Sequence, residues 1–600
     1  MTEAAVAGET APAPPAQKDV WRKGRKPPLS ARVRALGALP RRLLWQRLVY
    51  RLKRPYYRSP LYGIFLPRIE SATPLCLPPD PWPGEAERGR ALVDLRFTFA
   101  GQTLENPRPL WSPEQASKAW LEELHSFSWL RDLRACNGDP ARRQARALTT
   151  EWMEKHRTWS SPAWDPLVIG RRLSHWLGQY DFFAASAEID FRQKLLESAA
   201  RQAAHLSSVL PAGLTGADLI VALRGLAIAG ACLPDGQPWL KQALALLSRE
   251  LTQQVLADGG HCERSPGRHL AVLRDLVDIK ATLHAAGAPL PDELQLAIEG
   301  MGPTLRLLQH GDGGLALFNG STAEEGFKVD MVLRRADARR RPRTSAPQTG
   351  FQRMQAGRTL VLLDSGSPAP PGLDMAAHAG TLSFEMSVGR ERMIVNCGAP
   401  AGQTGSDALR QALRVTAAHS TLTLAETNSS LLSGGRAFWQ TGLVARAENV
   451  LCRRNEEEGA TLLETQHDGY AERLGALHRR MLYLAASGDD LRGEDRVEPS
   501  GADPFDRPLD FTVRFHLHPN VQAALVQTGD AVLLRLPKAG GWRLRCSGAA
   551  IALEDSVYFG DTQPRRSQQV VLRGRCGRDG ARVKWALQRE AVRDKPAGKR

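Results

Sequence analysis

The chain has 600 residues, of which 42% are hydrophobic and 24% are charged. This length and composition exclude a single small core and a disordered chain, and they predict a globular protein of at least two domains. The eight cysteines are scattered singly without a CxxC pair, so a thiolate metal cluster is excluded and reduced, mostly buried thiols are predicted.

The first 21 residues are MTEAAVAGETAPAPPAQKDVW. They carry acids and prolines where a secretory signal needs a basic start and an apolar core. No later run approaches the roughly 20 apolar residues of a membrane-spanning helix. The sequence therefore predicts a cytoplasmic location, unless another export route operates.

Residues 1–75 are predicted to form a basic extension. Residues 20–60 hold 13 Lys or Arg and no Asp or Glu, and the rest of the chain has a net charge of only +3. Because no base-stacking or groove-reading motif accompanies this segment, nucleic-acid binding is disfavoured.

The stretch RRLLWQRLVYRLKR in this extension predicts an amphipathic helix. Its apolar side chains share an arc of about 140°, with basic side chains outside it. These apolar residues are Leu44, Trp45, Leu48, Val49 and Leu52. The helix either rests on an anionic membrane surface or docks its apolar face on the protein's own body, and the sequence leaves both readings open.

A helical domain is predicted over residues 90–335, because apolar residues recur every three or four positions between about 110 and 310. The first segment, WSPEQASKAWLEELHSFSWLRDL, predicts a helix capped by Ser112 with Pro113 in its first turn. Eight such segments with short Gly, Pro or Asp breaks predict antiparallel helix pairs that stack in a line or close into a ring.

Nine tryptophans lie between residues 82 and 239. Aromatic rings often line sugar-binding clefts, where they stack on the C–H faces of pyranoses. Four of these tryptophans occupy apolar helix faces and are predicted to belong to the core instead. They are Trp120, Trp129, Trp152 and Trp176.

A basic, proline-containing linker near residues 335–350 precedes a change of pattern. Over residues 350–590 the chain consists of short apolar runs bounded by Gly, Asp, Asn or Pro. These runs predict an antiparallel β-sandwich. The fold class predicted for the whole chain is α+β and multidomain.

Several motifs resemble heparinase II/III-type proteins. The β half contains AHAGTLSFEMSVGRERMIVNCG and then RVTAAHSTLTLAETNSS, in the order of that family's His, Asp and His segments. The stretches ADGGHCERSP, DGGLALFNGS, HDGYAERLGALHRRMLYL and FTVRFHLHPNV extend the resemblance over residues 90–590. It implies an incomplete α/α toroid followed by a β-sandwich. It also implies a polysaccharide lyase of the cell envelope or periplasm that cleaves uronate-containing acidic glycans by β-elimination.

The resemblance also implies a metal site. Characterised relatives hold a metal through His, Asp and His, and the matching residues here are His378, Asn396 and His419. Zinc suits such a set, although the amide oxygen of asparagine is a weaker and neutral substitute for a carboxylate. From the residues alone, strand histidines are also explained as hydrogen-bonded core residues, so both readings stay open.

β-Elimination needs a group that neutralises the uronate carboxylate, a base for the C5 proton and an acid for the leaving oxygen. Three family positions differ here: Ala376 replaces a second histidine, GLTGADLIVALRGL lacks the Asn-His pair, and no tyrosine follows the DGG segment. The loop DGGHCERSPGRH offers replacements, or else it is a helix-capping loop. The replacements are His261, Glu263, Arg268 and His269.

His467 and Tyr470 of HDGY are a second candidate pair, although a turn explains the Asp-Gly equally well. His516 and His518 are predicted to be sheet residues. The sequence contains no phosphate loop, dinucleotide fingerprint, GxSxG or HExxH. Two hypotheses follow: a lyase acting on an acidic polysaccharide, or a catalytically inactive glycan-binding or envelope-assembly protein of the same fold.

Overall fold

The structure is a computed structural model that describes residues 29–400, 406–433, 442–561 and 563–590. The stretch on which the absence of a secretory signal was predicted lies outside the described residues. None of the described helices is long and apolar enough to cross a bilayer.

The first half of the chain is helical, apart from one short hairpin. The hairpin strands are β1 (Arg96–Phe99) and β2 (Gln102–Glu105). The helices are α1 (Leu29–Ala38), α2 (Arg41–Arg58), α3 (Pro60–Ile64), α4 (Ala86–Val93), α5 (Lys118–Ser126), α6 (Leu130–Cys136), α7 (Gly138–Lys155), α8 (Pro166–Gly178), α9 (Tyr180–Phe183), α10 (Ile189–Val209), α11 (Gly216–Cys232), α12 (Gln237–Gln254), α13 (Pro266–Ala285), α14 (Asp292–Leu307) and α15 (Gly326–Arg335).

The helix predicted to begin at Ser112 begins instead at Lys118. The hydroxyl of Ser117 accepts a hydrogen bond from the Trp120 backbone N–H at 3.2 Å, so Ser117 is the N-cap. Ser112 lies in a preceding turn. Burial of Trp120 and Leu124 outweighed the Ser-Pro-Glu signal, because a helix that begins after Ser117 places both side chains in the core.

The four tryptophans predicted to be core residues are all fully buried, which confirms that prediction. The Phe127 ring contacts three of them, with its centroid 4.7 Å from that of Trp129, 5.3 Å from that of Trp176 and 6.0 Å from that of Trp152. The buried Arg172 guanidinium lies 4.0 Å from the centroid of the Trp152 ring and donates to Gln202 Oε1 at 2.7 Å. Each of the other two guanidinium nitrogens donates to a backbone carbonyl, of His125 and of Ala163, so the aromatic core also holds a hydrogen-bonded charge.

Helix α2 packs on the body through the face opposite to the predicted apolar arc. Its buried face carries Leu43 and Tyr57, and between them Arg47 donates to the Gly213 carbonyl at 3.2 Å. Leu43 lies against Gly372 of the second half, so closely that a Cβ there would be 2.9 Å from Leu43 Cδ2. Helix α2 therefore touches both halves of the chain.

The second half is an antiparallel β structure, as predicted. Its strands are β3 (Ser345–Ala346), β4 (Phe351–Ala356), β5 (Thr359–Asp364), β6 (Phe384–Val388), β7 (Glu391–Val395), β8 (Leu422–Leu424), β9 (Leu431–Leu432), β10 (Leu443–Ala445), β11 (Val450–Glu457), β12 (Ala460–Tyr470), β13 (Ala476–Leu484), β14 (Asp490–Pro499), β15 (Leu509–Leu517), β16 (Gln522–Leu525), β17 (Ala531–Leu536), β18 (Gly540–Ser547), β19 (Ala550–Tyr558), β20 (Arg565–Cys576) and β21 (Ala581–Arg589). Two short helices interrupt them, α16 (Asp407–Ala412) and α17 (Ala471–Leu474).

Two large sheets enclose the core of this half. One has the strand order β11-β12-β13-β14-β21-β18-β17-β16, and the other has the order β19-β20-β15-β7-β6-β5-β4-β3, with β8 paired to β15. The rings of Phe384 and Trp585, one from each sheet, stack with centroids 5.6 Å apart. The described residues thus have an α+β fold, whereas closure of the helices into a toroid and the predicted domain limits stay predictions.

Candidate functional site

His378 and His419, two of the predicted metal ligands, contact each other in the β half. His378 Nδ1 lies 3.1 Å from His419 Nε2, and the rings meet edge to face. His419 Nδ1 must donate to the Val415 carbonyl at 2.8 Å, since a carbonyl only accepts. His419 Nε2 therefore accepts a hydrogen bond from His378 Nδ1–H. Of the four ring nitrogens, only His378 Nε2 then keeps an electron pair that is not used in these hydrogen bonds. Burial lowers the pKa of both rings, that of His419 to about 4.

Asn396, the third predicted ligand, is already engaged. Its Oδ1 accepts from the Ser420 N–H at 2.9 Å, and its Nδ2 donates to Glu385 Oε1 at 2.9 Å. Glu385 is fully buried, and its other oxygen bonds to His310 Nε2 at 2.8 Å. The site thus offers two imidazoles but lacks the carboxylate that zinc favours. No cluster of three or more His, Cys, Asp or Glu suited to a metal occurs among the described residues, and zinc here stays a prediction.

The stretch DGGHCERSPGRH is a loop only up to Ser265, because its last four residues form the first turn of helix α13. Its two histidines, His261 in the loop and His269 in the helix, are both buried. His261 Nδ1 accepts the Glu263 backbone N–H at 3.4 Å, so its Nε2–H faces Gln254 Oε1 at 3.1 Å. His269 Nε2 donates to the Met301 carbonyl at 2.9 Å. Burial lowers the pKa of His261 to about 3 and that of His269 to about 4, so both rings are neutral near pH 7.

Glu263 of the loop and Arg268 of the first turn of helix α13 contact the start of helix α11. Glu263 Oε1 accepts the Ala217 N–H at 2.7 Å, which places an anion at the positive end of that helix. Burial raises the pKa of Glu263, and the neighbouring Arg268 opposes this shift. Arg268 Nη1 donates to Asp218 Oδ1 at 2.7 Å, and both side chains are partly exposed. Of the loop candidates, Arg268 therefore reaches solvent.

The loop also joins the two halves of the chain. Asp258 accepts hydrogen bonds from the backbone N–H groups of Gln348, at 2.8 Å, and of Thr349, at 2.7 Å. Arg264 forms a buried ion pair with Asp364 at the end of β5. These contacts hold the loop at the junction of the two halves. Ser265, the N-cap residue of helix α13, makes no side-chain capping hydrogen bond, so local capping by Ser265, as the helix-capping reading has it, is not what the structure shows.

Gly216, the first residue of α11, makes room for the Glu263 carboxylate. Its φ is +57°, and a Cβ there would lie 1.9 Å from Glu263 Oε1. We expect Gly216→Ala to lower the free energy of unfolding by about 1–2 kcal/mol through its φ and by about 1–3 kcal/mol more through the clash. The measurement is urea unfolding.

Gly287 provides the matched control, because its φ is +61° and no atom lies within 4 Å of its added Cβ. Gly287→Ala should show the φ cost alone. Equal losses for the two variants would mean that Glu263 does not occupy the position described.

His467 and Tyr470 lie inside the sandwich, away from solvent. Tyr470 donates to the Leu422 carbonyl at 2.8 Å, and burial raises its pKa. His467 Nε2 lies 3.2 Å from His478 Nδ1, and His478 Nε2 bonds to Asp495 Oδ1 at 2.8 Å. The catalytic roles of this pair and of the loop residues stay predictions.

Asp495 is the centre of a buried network that sequence reasoning missed. It accepts from Arg480 Nε at 2.8 Å and from Trp585 Nε1 at 2.9 Å. The available signal was strand alternation: His478, Arg480 and Leu482 share one face of β13, so a buried Leu482 implies that the other two point inward as well.

Comparison with known proteins decides the family. Residues 111–322 match the family model "Heparinase II/III N-terminus", and residues 338–586 match "Heparinase II/III-like, C-terminal". FtsZ-localized protein C of Caulobacter vibrioides is 33% identical over 542 residues, which cover 87% of this chain and 91% of that protein. The chain belongs to the heparinase II/III-like family. The resemblance seen in the sequence is thereby confirmed.

Other relatives of this heparinase II/III-like chain are more distant. A heparin-sulfate lyase of Bacteroides thetaiotaomicron is 24% identical over 229 residues, covering 32% of each chain. The crystal structure of heparinase III has a TM-score of 0.69 at 17% identity and covers 93% of each chain. The latter likeness shows a shared fold.

Proposed function

We propose that this chain is a catalytically inactive heparinase-like protein that serves in envelope assembly and attaches to an anionic membrane surface through helix α2. The observation that carries the proposal is an exposed apolar stripe on that helix. Trp45 and Leu52 are 65% and 68% exposed, and Leu48 and Tyr56 lie on the same face. Large apolar side chains that remain in water along one helix face mark an interaction surface.

The chemistry around the stripe supports a lipid surface as the partner. Arg41, Arg42, Lys53 and Arg58 of the same helix are exposed, and residues 20–60 contain no acid. Anionic headgroups complement this charge, and each basic residue contributes about 1 kcal/mol near such a surface. The protein's own body binds the opposite face of α2, so the stripe remains available.

The state of the candidate catalytic groups supports the inactive assignment. β-Elimination requires a base that reaches the substrate. His261, His269 and His467 are buried and bonded within the protein, and Tyr470 donates to a backbone carbonyl. The Caulobacter relative is named for its localisation with FtsZ, and we extend that localisation to this chain as part of the proposal.

The experiment is sedimentation with vesicles of phosphatidylcholine, with and without phosphatidylglycerol. Trp45→Ser/Leu52→Ser should weaken binding more than a hundredfold, because each lost side chain removes about 1.5–3 kcal/mol of apolar burial. Added salt should weaken wild-type binding as well.

Leu296→Ser is the matched control, since Leu296 is 67% exposed on helix α14, outside the stripe. It should bind as the wild type does. The proposal would be contradicted if the double variant bound as tightly as the wild type, or if binding were the same with and without phosphatidylglycerol.

A second candidate is the lyase activity that the family implies, acting on a uronate-containing acidic polysaccharide. Partial exposure of Arg268 at its ion pair with Asp218 favours it, because a guanidinium there could bind a uronate carboxylate. The test is ultraviolet absorbance of the unsaturated product over a panel of such polysaccharides. A rise that disappears in Arg268→Ala and in His419→Ala would favour the lyase over the inactive protein.

A further inference from the structure

A pair of cysteines far apart in sequence meets at the surface of the helical half. Cys76 Sγ lies 3.6 Å from Cys232 Sγ, although 156 positions separate them along the chain. Cys232 is the buried last residue of helix α11, and Cys76 is partly exposed. Cys76 is thus the residue of the pair that is nearer to solvent, and the buried Cys232 lies beside it.

The backbone around the pair is fixed on both sides. The Leu75 N–H donates to the Cys232 carbonyl at 2.7 Å, so the two chain segments are already bonded next to the sulfurs. Cys76 belongs to residues 65–85, a segment without helix or strand that we call the strap. The strap is anchored before Cys76 by the bond from Tyr180 Oη to the Ala72 carbonyl, at 3.1 Å, and after it by the Arg131–Asp80 ion pair, at 2.8 Å.

We propose that Cys76 and Cys232 form a reversible dithiol–disulfide site that hydrogen peroxide oxidises, fastening the strap to the end of helix α11. The site is independent of the proposed membrane contact. Its position matters because the strap joins helices α2 and α3 to the rest of the helical half.

The reaction proceeds in two balanced steps. The Cys76 thiolate attacks one peroxide oxygen and the O–O bond breaks, which gives a sulfenic acid and hydroxide. The hydroxide takes up the proton that the Cys76 thiol released and becomes water. The Cys232 sulfur then attacks the Cys76 sulfur, the S–O bond breaks, and the hydroxyl leaves as water with the Cys232 proton. The two sulfurs are oxidised by two electrons in total, and the peroxide is reduced to water.

The ionisation of the pair suits this order of events. The Cys76 thiol lies 3.5 Å from the Ala231 carbonyl oxygen, to which it donates, and 3.6 Å from the Cys232 sulfur. The hydrogen bond between the two sulfurs lowers the pKa of Cys76 to about 7. The same hydrogen bond, together with burial, raises the pKa of Cys232. Near neutral pH the partly exposed sulfur is therefore the nucleophile that meets peroxide first.

The test treats the full-length reduced protein with hydrogen peroxide and then alkylates and digests it without reductant. We expect a linked peptide pair that contains Cys76 and Cys232 and that dithiothreitol separates. Under denaturing conditions two fewer thiols should react than the eight present in the chain. The oxidised protein should also melt at a higher temperature than the reduced one, because a long loop has been closed.

Cys76→Ser and Cys232→Ser should each remove the linked pair, whereas Cys136→Ser, at another partly exposed cysteine of the helical half, should keep it. Serine differs from cysteine by one atom, and a matching melting temperature in reductant verifies that each variant folds. The proposal is overturned if peroxide leaves all thiols free, if Cys76 accumulates as sulfinic acid without a link, or if the link forms equally with other cysteines.

Discussion

Replacing Arg480 by leucine should lower the free energy of unfolding by about 3–5 kcal/mol, because it leaves the buried Asp495 carboxylate without its cation. Arg480 is fully buried and binds Asp495 through Nε at 2.8 Å and Nη2 at 3.1 Å. This guanidinium also holds the pKa of Asp495 below its usual range, so the carboxylate is charged in the folded protein. Urea unfolding of the full chain measures the loss.

Two further variants separate the charge from the loss of volume. Arg479→Leu changes the adjacent residue, which points outward from β13 and is about half exposed, so its effect should stay within about 1 kcal/mol. The double change Arg480→Leu/Asp495→Leu removes both charges and should regain part of the loss. A single Arg480 variant as stable as the wild type would mean that Asp495 is not charged in the folded protein.

Acidification from pH 7 to pH 5 should destabilise the protein steeply. Burial lowers the pKa of His205, His261 and His516 to about 3 and that of His269 and His419 to about 4. Above pH 6.5 these groups are neutral in both states, whereas below it the unfolded chain takes up protons that the folded chain does not. Stability is therefore lost between about pH 6.5 and pH 4, by about 1.4 kcal/mol per pH unit for each histidine.

A smaller set of carboxyl groups works in the opposite direction. Burial raises the pKa of Asp278 to about 6. As the pH falls, this carboxyl group is therefore protonated in the folded chain at a higher pH than in the unfolded chain, which favours the folded state. Five histidines at about 1.4 kcal/mol each, less about 1.4 kcal/mol for Asp278, give a net loss of about 5–6 kcal/mol per pH unit near pH 5 from these six groups. The measurement is the urea unfolding free energy at a series of pH values. A flat or rising profile between pH 6.5 and pH 5.5 would contradict this expectation.

His269→Gln isolates one contribution. Glutamine can still donate to the Met301 carbonyl that His269 Nε2 contacts, but it does not titrate. The slope should therefore fall by about 1.4 kcal/mol per pH unit.

Patterns of apolar residues predicted the division into a helical and a β half, as well as the buried tryptophans, because burial of those side chains determines both. The predicted start of helix α5 was wrong. Ser112 and Ser117 are equally good N-cap residues, and only the packing of Trp120 selects Ser117. The docking face of α2 was beyond prediction for a similar reason. Leu43 and Tyr57 form a second, weaker stripe on that helix, and its partners at Gly213 and Gly372 are distant in sequence.

The candidate site was predictable only where the family order of motifs brings residues together. His378 and His419 do meet, but nothing in the sequence shows that Asn396 bonds to Ser420 instead of facing them. The contact between Cys76 and Cys232 was equally hidden, because a separation of 156 positions carries no local signal.

Helix α2 contacts both halves of the chain through one face, and its exposed apolar stripe lies on the opposite face. Its 18 residues span about 27 Å, comparable to the width of a small domain. If the stripe inserts into a bilayer, the whole protein would therefore be held at a fixed orientation to the membrane, which a flexible linker would not achieve. The distance from the lipid to every part of the body would be fixed by the contacts at Gly213 and Gly372.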